Sequence, residues 1–482
     1  MTWFRSPVTI RGLASAVLLV PAAWGIGLVP GAPISPVSGS PPSEAGDREA
    51  DATSSSPAGE TRAGSDAGEP STPPEGAGDT LKVYGNTPEE LRPFGKFVQR
   101  PYKQFFVNPL EFNGPGREKP EPDVDSVVIG LLAPLERSHE AYIGRPMLQG
   151  VRLAIDQANA AGGYHGKPFK LVVRNDTGLW GASANEIVRF SYDDKAWAVL
   201  GTVDGANTHI AIRVALKTEI PIINVADTDP TLVETKIPWV FRNIADDREM
   251  AYALAHLLYK ERGFRRVAIL RADNRYGRFG VGEFRASSVR LKHPSPIEIN
   301  YEVDYDNLNP EFTAQIDRLK RVQPDAVTLW ADAEAAGYLV RKIREAGLKM
   351  PIFACDRVLH PRFLEIAGNA AEGVIAAVPY DPGADRPGFE RFREEYRRRF
   401  GQEPTVYASK AYDGAEWLVR VIRQAGLNRY RIRDALAETN RYEGVTGEIV
   451  LDAVYADRGG VTLATVRDGR WVYDEPRVAR EF

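Results

Sequence analysis

A single cysteine, Cys355, stands among 482 residues. An intramolecular disulfide is therefore excluded, and so is a structural zinc site that needs two cysteine ligands. Charge of one sign is lacking too. Lys and Arg total 61 against 65 Asp and Glu, a formal net charge of −4. Without a basic excess to neutralise phosphates, nucleic acid is a poor partner. Histidine is scarce. His139, His165, His209, His256, His293 and His360 are scattered, with no HExxH or other metal-ligand spacing, so no metal site is predicted. No GxSxG elbow occurs, and no P-loop lysine follows a glycine-rich turn. Neither an enzyme nor a bound cofactor is expected on these grounds. The fold must be held by apolar burial, and 43 % hydrophobic residues supply it.

What is present changes along the chain. Arg5 and Arg11 precede Leu13 to Val29, a nearly all-apolar stretch without an acid. Its length of about 17 residues falls between a secretory core and the roughly 20 that span a bilayer. Residues 1–29 read as a signal peptide or an uncleaved N-terminal anchor. No cysteine follows for a lipid. Residues 30–80 are Pro, Gly, Ser, Ala and acids, as in SPVSGSPPSEAGDREADATSSSPAGE. Such a segment has too little apolar surface to offset ordering entropy and reads as a disordered linker. Residues 81–125 are aromatic but rich in proline, and read as an irregular extension laid on the globule.

From Ser126 short buried strands alternate with helical spacings: VVIGLL, then RPMLQGVRLAIDQANAAGG, then KPFKLVVRND, AWAVLG and PIINVA. A second series begins near Asp246 with MAYALAHLLYKERG, RRVAILRA, IEINYEV, DAVTLWA and MPIFAC. Each predicts βαβ units on a parallel sheet, so the fold class is α/β with two Rossmann-like lobes. Helices at about 387–400, 406–425 and 431–438 follow, then GEIVLD, and GVTLATVRDGRWVYD closes the chain as a hairpin turning at Asp468-Gly469. Late elements that complete earlier sheets imply a chain crossing between lobes more than once, with a multi-strand hinge. Lobe 1 is expected over 126–244 plus 380–446, and lobe 2 over 245–379 plus 447–475.

Ligands of open α/β sheets bind at the carboxyl ends of strands. Gly201 to Thr208 leaves one such end, and its small residues bare N–H groups at a helix start, a site for an anion. The alternative is a tight turn capped by Asp204 or Asn207. Ala226, Asp227 and Thr228 leave the next strand at the same edge. Asp356 leaves MPIFAC in the second series, suited to a ligand cation or else to capping a helix. Gly277, Gly280 and Gly282 follow a strand as GxxGxG, not the GxGxxG of a dinucleotide loop, and read as packing glycines. Cys355 reads as a small buried residue or pocket wall.

These residues, in this order, resemble the branched-chain amino-acid binding proteins of ABC transporters, the type I periplasmic binding fold. The resemblance runs from Ser126 to about Glu475. It rests on IGLLAPL, GVRLAIDQANAAGG, IPIINVADTDPTL, DNRYGRFG, IREAGLKMPIFACD and LEIAGNAAEGV. It implies a small amino-acid-like ligand closed between two lobes and a membrane permease as partner. By position it implies that Asp204, Gly205, Ala206 and Thr208 receive the ligand carboxylate. Ala226 and Thr228 would hold the ammonium and carboxylate, Tyr276 would close over the ligand, and Asp356 would pair with the ammonium. Tyr142, Trp330 and Tyr407 would wall the pocket. Gly205 and Ala206 stand where the family usually carries serines, and Asp204 and Asp227 add acids. Those acids disfavour an aliphatic zwitterion and favour a cationic, amide or ureide ligand. A periplasmic or extracytoplasmic location follows, with attachment through an uncleaved N-terminal segment left open. A sensing ectodomain for a partner receptor remains the alternative, and a Rossmann-type enzyme a distant third.

Overall fold

The run Val127–Ala133, VVIGLLA, is buried at six of its seven positions, as a central parallel strand covered on both faces requires. In this computed structural model it is β1. The structure describes residue 110 and residues 112–473, except 178–179, 304–309, 381, 383–385, 440, 453 and 458–459. The expected signal at 1–29, the linker at 30–80 and the greater part of the 81–125 extension lie outside the described residues.

The first lobe continues through α1 (Ala141–Ala160), β2 (Phe169–Asn175), α2 (Trp180–Tyr192), β3 (Ala198–Leu200), α3 (Gly205–Thr218), β4 (Ile222–Asn224), the short α4 (Thr231–Glu234) and β5 (Val240–Arg242). Its five strands are parallel in the order β2-β1-β3-β4-β5. The second lobe opens with α5 (Asp247–His256), whose last turn widens over Leu257–Glu261. Then come β6 (Val267–Ala272), α6 (Arg275–Arg290), β7 (Ile297–Tyr301), α7 (Thr313–Val322), β8 (Ala326–Trp330), α8 (Ala333–Glu345), β9 (Ile352–Ala354), α9 (Pro361–Ala367) and β10 (Ile375–Val378). The parallel order β7-β6-β8-β9-β10 repeats the pattern of the first sheet. The two-lobed α/β class read from the sequence is the architecture found.

The remaining elements are α10 (Pro387–Phe400), α11 (Val406–Ala425), α12 (Arg429–Glu438), β11 (Arg441–Gly444), β12 (Gly447–Val450), β13 (Thr462–Arg467) and β14 (Arg470–Tyr473). Helix α11 lies along α1 in the first core. A Cβ on Gly150 of α1 would come within 2.1 Å of the Ala408 carbonyl, so only glycine permits this approach. Leu418 and Ile422 of α11 are fully buried there, each such side chain contributing about 1.5–3 kcal/mol by leaving water. Strands β13 and β14 add antiparallel to β10 in the second sheet, turning at Asp468 and Gly469, both with positive φ.

One expected pairing differs. GEIVLD was predicted to complete a main sheet, but β12 pairs only with β11 in a separate ladder. Buried Asp413 of α11 accepts the Val445 and Thr446 N–H groups at 2.7 and 2.9 Å, which pins that turn to the helix. Tyr442, Ile449 and Tyr455 bury in the first core, so Ile449 and Tyr455, expected in lobe 2, pack with the first lobe.

The crossing after β5 and the crossing before β13 run side by side. Arg242 donates its N–H to the Tyr455 carbonyl at 2.9 Å, and Asp457 donates to the Arg242 carbonyl at 2.8 Å. The fully buried Arg242 guanidinium meets Asp246 at 2.5 Å, and Arg248 meets the same carboxylate at 2.5 Å. Asp246 and Glu249 form a capping box at the start of α5. Along lobe 1, the described end of the extension is held by Phe112 edge-on to Trp239 at 5.2 Å and by Asn428 donating to the Gly116 carbonyl at 2.9 Å.

Candidate functional site

Every β-strand of a parallel sheet delivers its next loop to the same edge, and in both lobes those loops are acidic. Asp204 follows β3 and caps α3. Its Oδ1 accepts the N–H groups of Ala206 and Asn207 at 2.9 and 3.1 Å, so the protein's own carboxylate occupies the helix N-terminus. Gly205 leaves room beside it. A Cβ there would come within 2.7 Å of an Asp229 oxygen and 2.9 Å of Arg275.

Asp227 and Thr228 follow β4. The buried Thr208 hydroxyl lies 2.6 Å from Asp227 Oδ2 and 2.8 Å from the Asp204 carbonyl, and also contacts the Thr202 hydroxyl. Asp227 further accepts the Asp229 N–H at 3.0 Å. Burial, then the nearby Asp229 charge, pushes the Asp227 carboxyl up to about 7. Ala226 is buried and its N–H is taken by the Asn224 side chain at 3.1 Å. Thr228 gives its carbonyl to the N–H of Asp247, at 2.9 Å, after β5.

Asp247 is 1 % exposed. Neither of its carboxylate oxygens has a hydrogen-bond partner, although the Thr228 hydroxyl stands beside it. Burial holds its carboxyl well above the usual range, and the neighbouring Asp356 charge adds to this. Asp356, after β9, is equally buried. It accepts Tyr276 of its own lobe at 2.9 Å and Tyr407, from α11 of the first lobe, at 2.7 Å. Burial raises its carboxyl too, against the opposing pull of the Tyr407 hydroxyl, Arg357 and the Tyr276 hydroxyl. One buried carboxyl without a hydrogen-bond partner and a second held by two phenols are chemistry suited to a cation.

Three further ties join the lobes around this centre. Arg275, at the start of α6, donates to Asp229 at 2.5 Å and to Thr231 at 2.9 Å, and its plane lies 4.1 Å from the Phe279 ring centroid. Arg357 meets first-lobe Glu140 at 3.0 Å and second-lobe Asp332 at 2.6 Å, stacked 3.9 Å over Tyr276. Burial pushes the Glu140 carboxyl up to about 8 despite Arg357. Tyr142 of the first lobe donates to Asp332 at 3.2 Å. The two lobes are closed on each other.

The residues singled out from the sequence thus divide. Asp204, Gly205, Ala206, Thr208, Ala226, Asp227 and Thr228 lie together at one edge, and Tyr276, Asp356 and Tyr407 meet from opposite lobes. Trp330 was expected as a pocket wall. It is fully buried in the second core, against Gly280 and 6.3 Å from the Tyr276 ring. Gly277 and Gly280 are packing glycines, where a Cβ would strike the Ala272 carbonyl and Trp330. Cys355 is buried, and burial holds its thiol well above its ordinary pKa. Asp229, Asp247, Arg275, Arg357, Glu140 and Asp332 were missed. Their common signal, an ionisable residue within a few positions of a strand's carboxyl end, was legible. Their pairing was not.

Residues 126–463 match a family described as periplasmic binding protein. The chain is 26 % identical over 334 residues to Leu/Ile/Val-binding protein homolog 2 of Brucella abortus, covering 68 % of this chain and 86 % of that protein. A leucine-binding protein from Thermotoga maritima superposes with a TM-score of 0.66 at 23 % identity, over 72 % of this chain and 97 % of that one. A solute-binding protein of an ABC transporter from R. palustris, in complex with benzoate, gives 0.65 at 18 %, over 72 % and 95 %. Glutamate receptor 2.2 of Arabidopsis thaliana is 26 % identical over 241 residues, 48 % of this chain and 25 % of that protein. The solved structures share the two-lobed fold.

Proposed function

This chain belongs to the periplasmic binding protein family, and on that premise we propose that it is the extracytoplasmic solute-binding component of an ABC transporter, holding a small amino-acid-like ligand between its lobes without changing it chemically. The single observation carrying this reading is the meeting of Tyr407 and Tyr276, from opposite lobes, on Asp356. Such a centre exists only when the lobes are closed, so whatever it holds is coupled to closure. The raised Cys355 thiol is a poor nucleophile.

In this mechanism the ligand docks first on the first-lobe loops from Asp204 to Thr208 and from Ala226 to Thr228. Bending at the paired crossings near Arg242 and Tyr455 then brings Tyr276 and Asp356 over it. The permease reads the closed form. Residues 1–29 direct export or hold the protein at the membrane; among the described residues no helix is long and apolar enough to cross one.

The likeness to a plant glutamate receptor favours a second reading, in which the same closure reports occupancy to a receptor. Thermal unfolding of the full chain against amino acids, amines, amides, ureas and small carboxylates tests the binding reading. A ligand at a hundredfold over its dissociation constant adds about 2.7 kcal/mol of stability. No shift with any class would overturn it.

A further inference from the structure

The place where an amino acid's carboxylate would dock is already filled by the protein's own carboxylates. We infer that the solute is an organic amine carrying no free carboxylate, an inference that rests on the interlobe cleft being the binding site.

Three observations lead there. First, the N–H groups of Ala206 and Asn207 that would receive a ligand carboxylate are taken by Asp204. The Thr208 hydroxyl is engaged by Asp227 and the Asp204 carbonyl, and the buried Asn207 side-chain amide is left without a partner. A ligand carboxylate arriving there would find that single amide donor and would face two acids. Like charges brought together in a desolvated cleft cost several kcal/mol.

Second, the cleft's guanidiniums are committed elsewhere. Arg275 is matched to Asp229 and Thr231 with its face on Phe279. Arg357 is matched to Glu140 and Asp332 with its face on Tyr276. Each cation is balanced by at least one carboxylate, so neither leaves net positive charge to attract an anion.

Third, Asp247 is buried with both oxygens unpartnered, and the Asp356 charge acts on it. A buried carboxyl without a donor demands either a proton or a cation. An ammonium offers three N–H donors, enough to reach Asp247 and Asp356 together. Both ends of the cleft therefore favour positive charge over negative, with the Asn207 amide the one unpartnered donor of the first-lobe loop.

The test uses matched pairs that differ only in the carboxylate: lysine and cadaverine, leucine and 3-methylbutylamine, with leucinamide as a third member. Titration calorimetry on the full chain is expected to show the amine of at least one pair binding about tenfold or more tighter than its amino acid. Asp247→Asn should abolish that binding. Asp204→Ser keeps a capping oxygen on α3 while removing the charge, and should move the preference toward the amino acid. An amino acid that binds as tightly as its amine, and loses binding in Asp356→Asn, overturns the amine assignment while the cleft stands. Binding of either member that is indifferent to both Asp247→Asn and Asp356→Asn overturns the cleft reading itself. Silence from every pair overturns the amine assignment.

Discussion

The phenol of Tyr407, carried on a first-lobe helix, donates to Asp356 of the second lobe at 2.7 Å. A phenol and the carboxylate it caps thus come from opposite lobes, so this contact is made only when the lobes are closed.

Asp356→Asn keeps the shape of the side chain and removes the charge that would pair with a ligand ammonium. Removing one member of a buried charged contact costs roughly 2–5 kcal/mol. Calorimetric affinity for the best ligand should fall accordingly, and an unchanged affinity would remove Asp356 from the site.

Arg275 and Asp229 hold the lobes together beside Gly205. Arg275 is 23 % exposed and Asp229 5 %, so water screens the pair and a coupling of about 1 kcal/mol or less is expected. A double-mutant cycle with Arg275→Met and Asp229→Asn, read by ligand affinity, measures that coupling. X-ray scattering of ligand-free Arg275→Met should show a larger radius of gyration. Identical scattering would mean that the other ties suffice for closure.

Gly280→Ala places a Cβ about 2.0 Å from the indole of Trp330. That ring is fully buried and has no open side to retreat to, so overpacking should cost about 1–3 kcal/mol. Differential scanning calorimetry should show a lower Tm. A Tm equal to wild type would mean that the second core can give way at this point.

Asp227 links stability to pH. Its unfolded value is near ~4, while burial and Asp229, with Asp204 also nearby, push the folded value up to about 7. Between those two values the folded protein keeps a proton that the unfolded chain has released. Its stabilising contribution is therefore complete below ~4 and is lost as pH rises to about 7. Asp227→Asn cannot titrate. Urea unfolding of ligand-free protein at several pH values should show a shallower decline over that window in the variant, and equal slopes would exclude this residue as a source.

Much of the fold was determined by the sequence alone because its cause is local. Apolar runs such as VVIGLL and VAIL can only be buried strands, amphipathic spacings between them can only be covering helices, and their alternation dictates parallel sheets. The Asp468-Gly469 turn is likewise decided within a few residues. The likeness of order and spacing from Ser126 onward was enough to place Asp356, Tyr276 and Tyr407 among the expected site residues.

What only the tertiary structure decided concerns residues far apart in the chain. Whether Asp204 offers its helix N-terminus to a ligand or fills it depends on a side-chain rotamer, and both readings fit the same letters. Arg357 finds Glu140 across a separation of 217 residues, and Arg275 finds Asp229 across 46. No periodicity encodes such pairs, because they depend on how two lobes come together and not on how either folds. Strand β12 turned away from the main sheets because Asp413 claimed the turn before it. A buried Asp247 without a donor is visible only once every neighbour is in place, since an unpartnered group is defined by its whole surroundings.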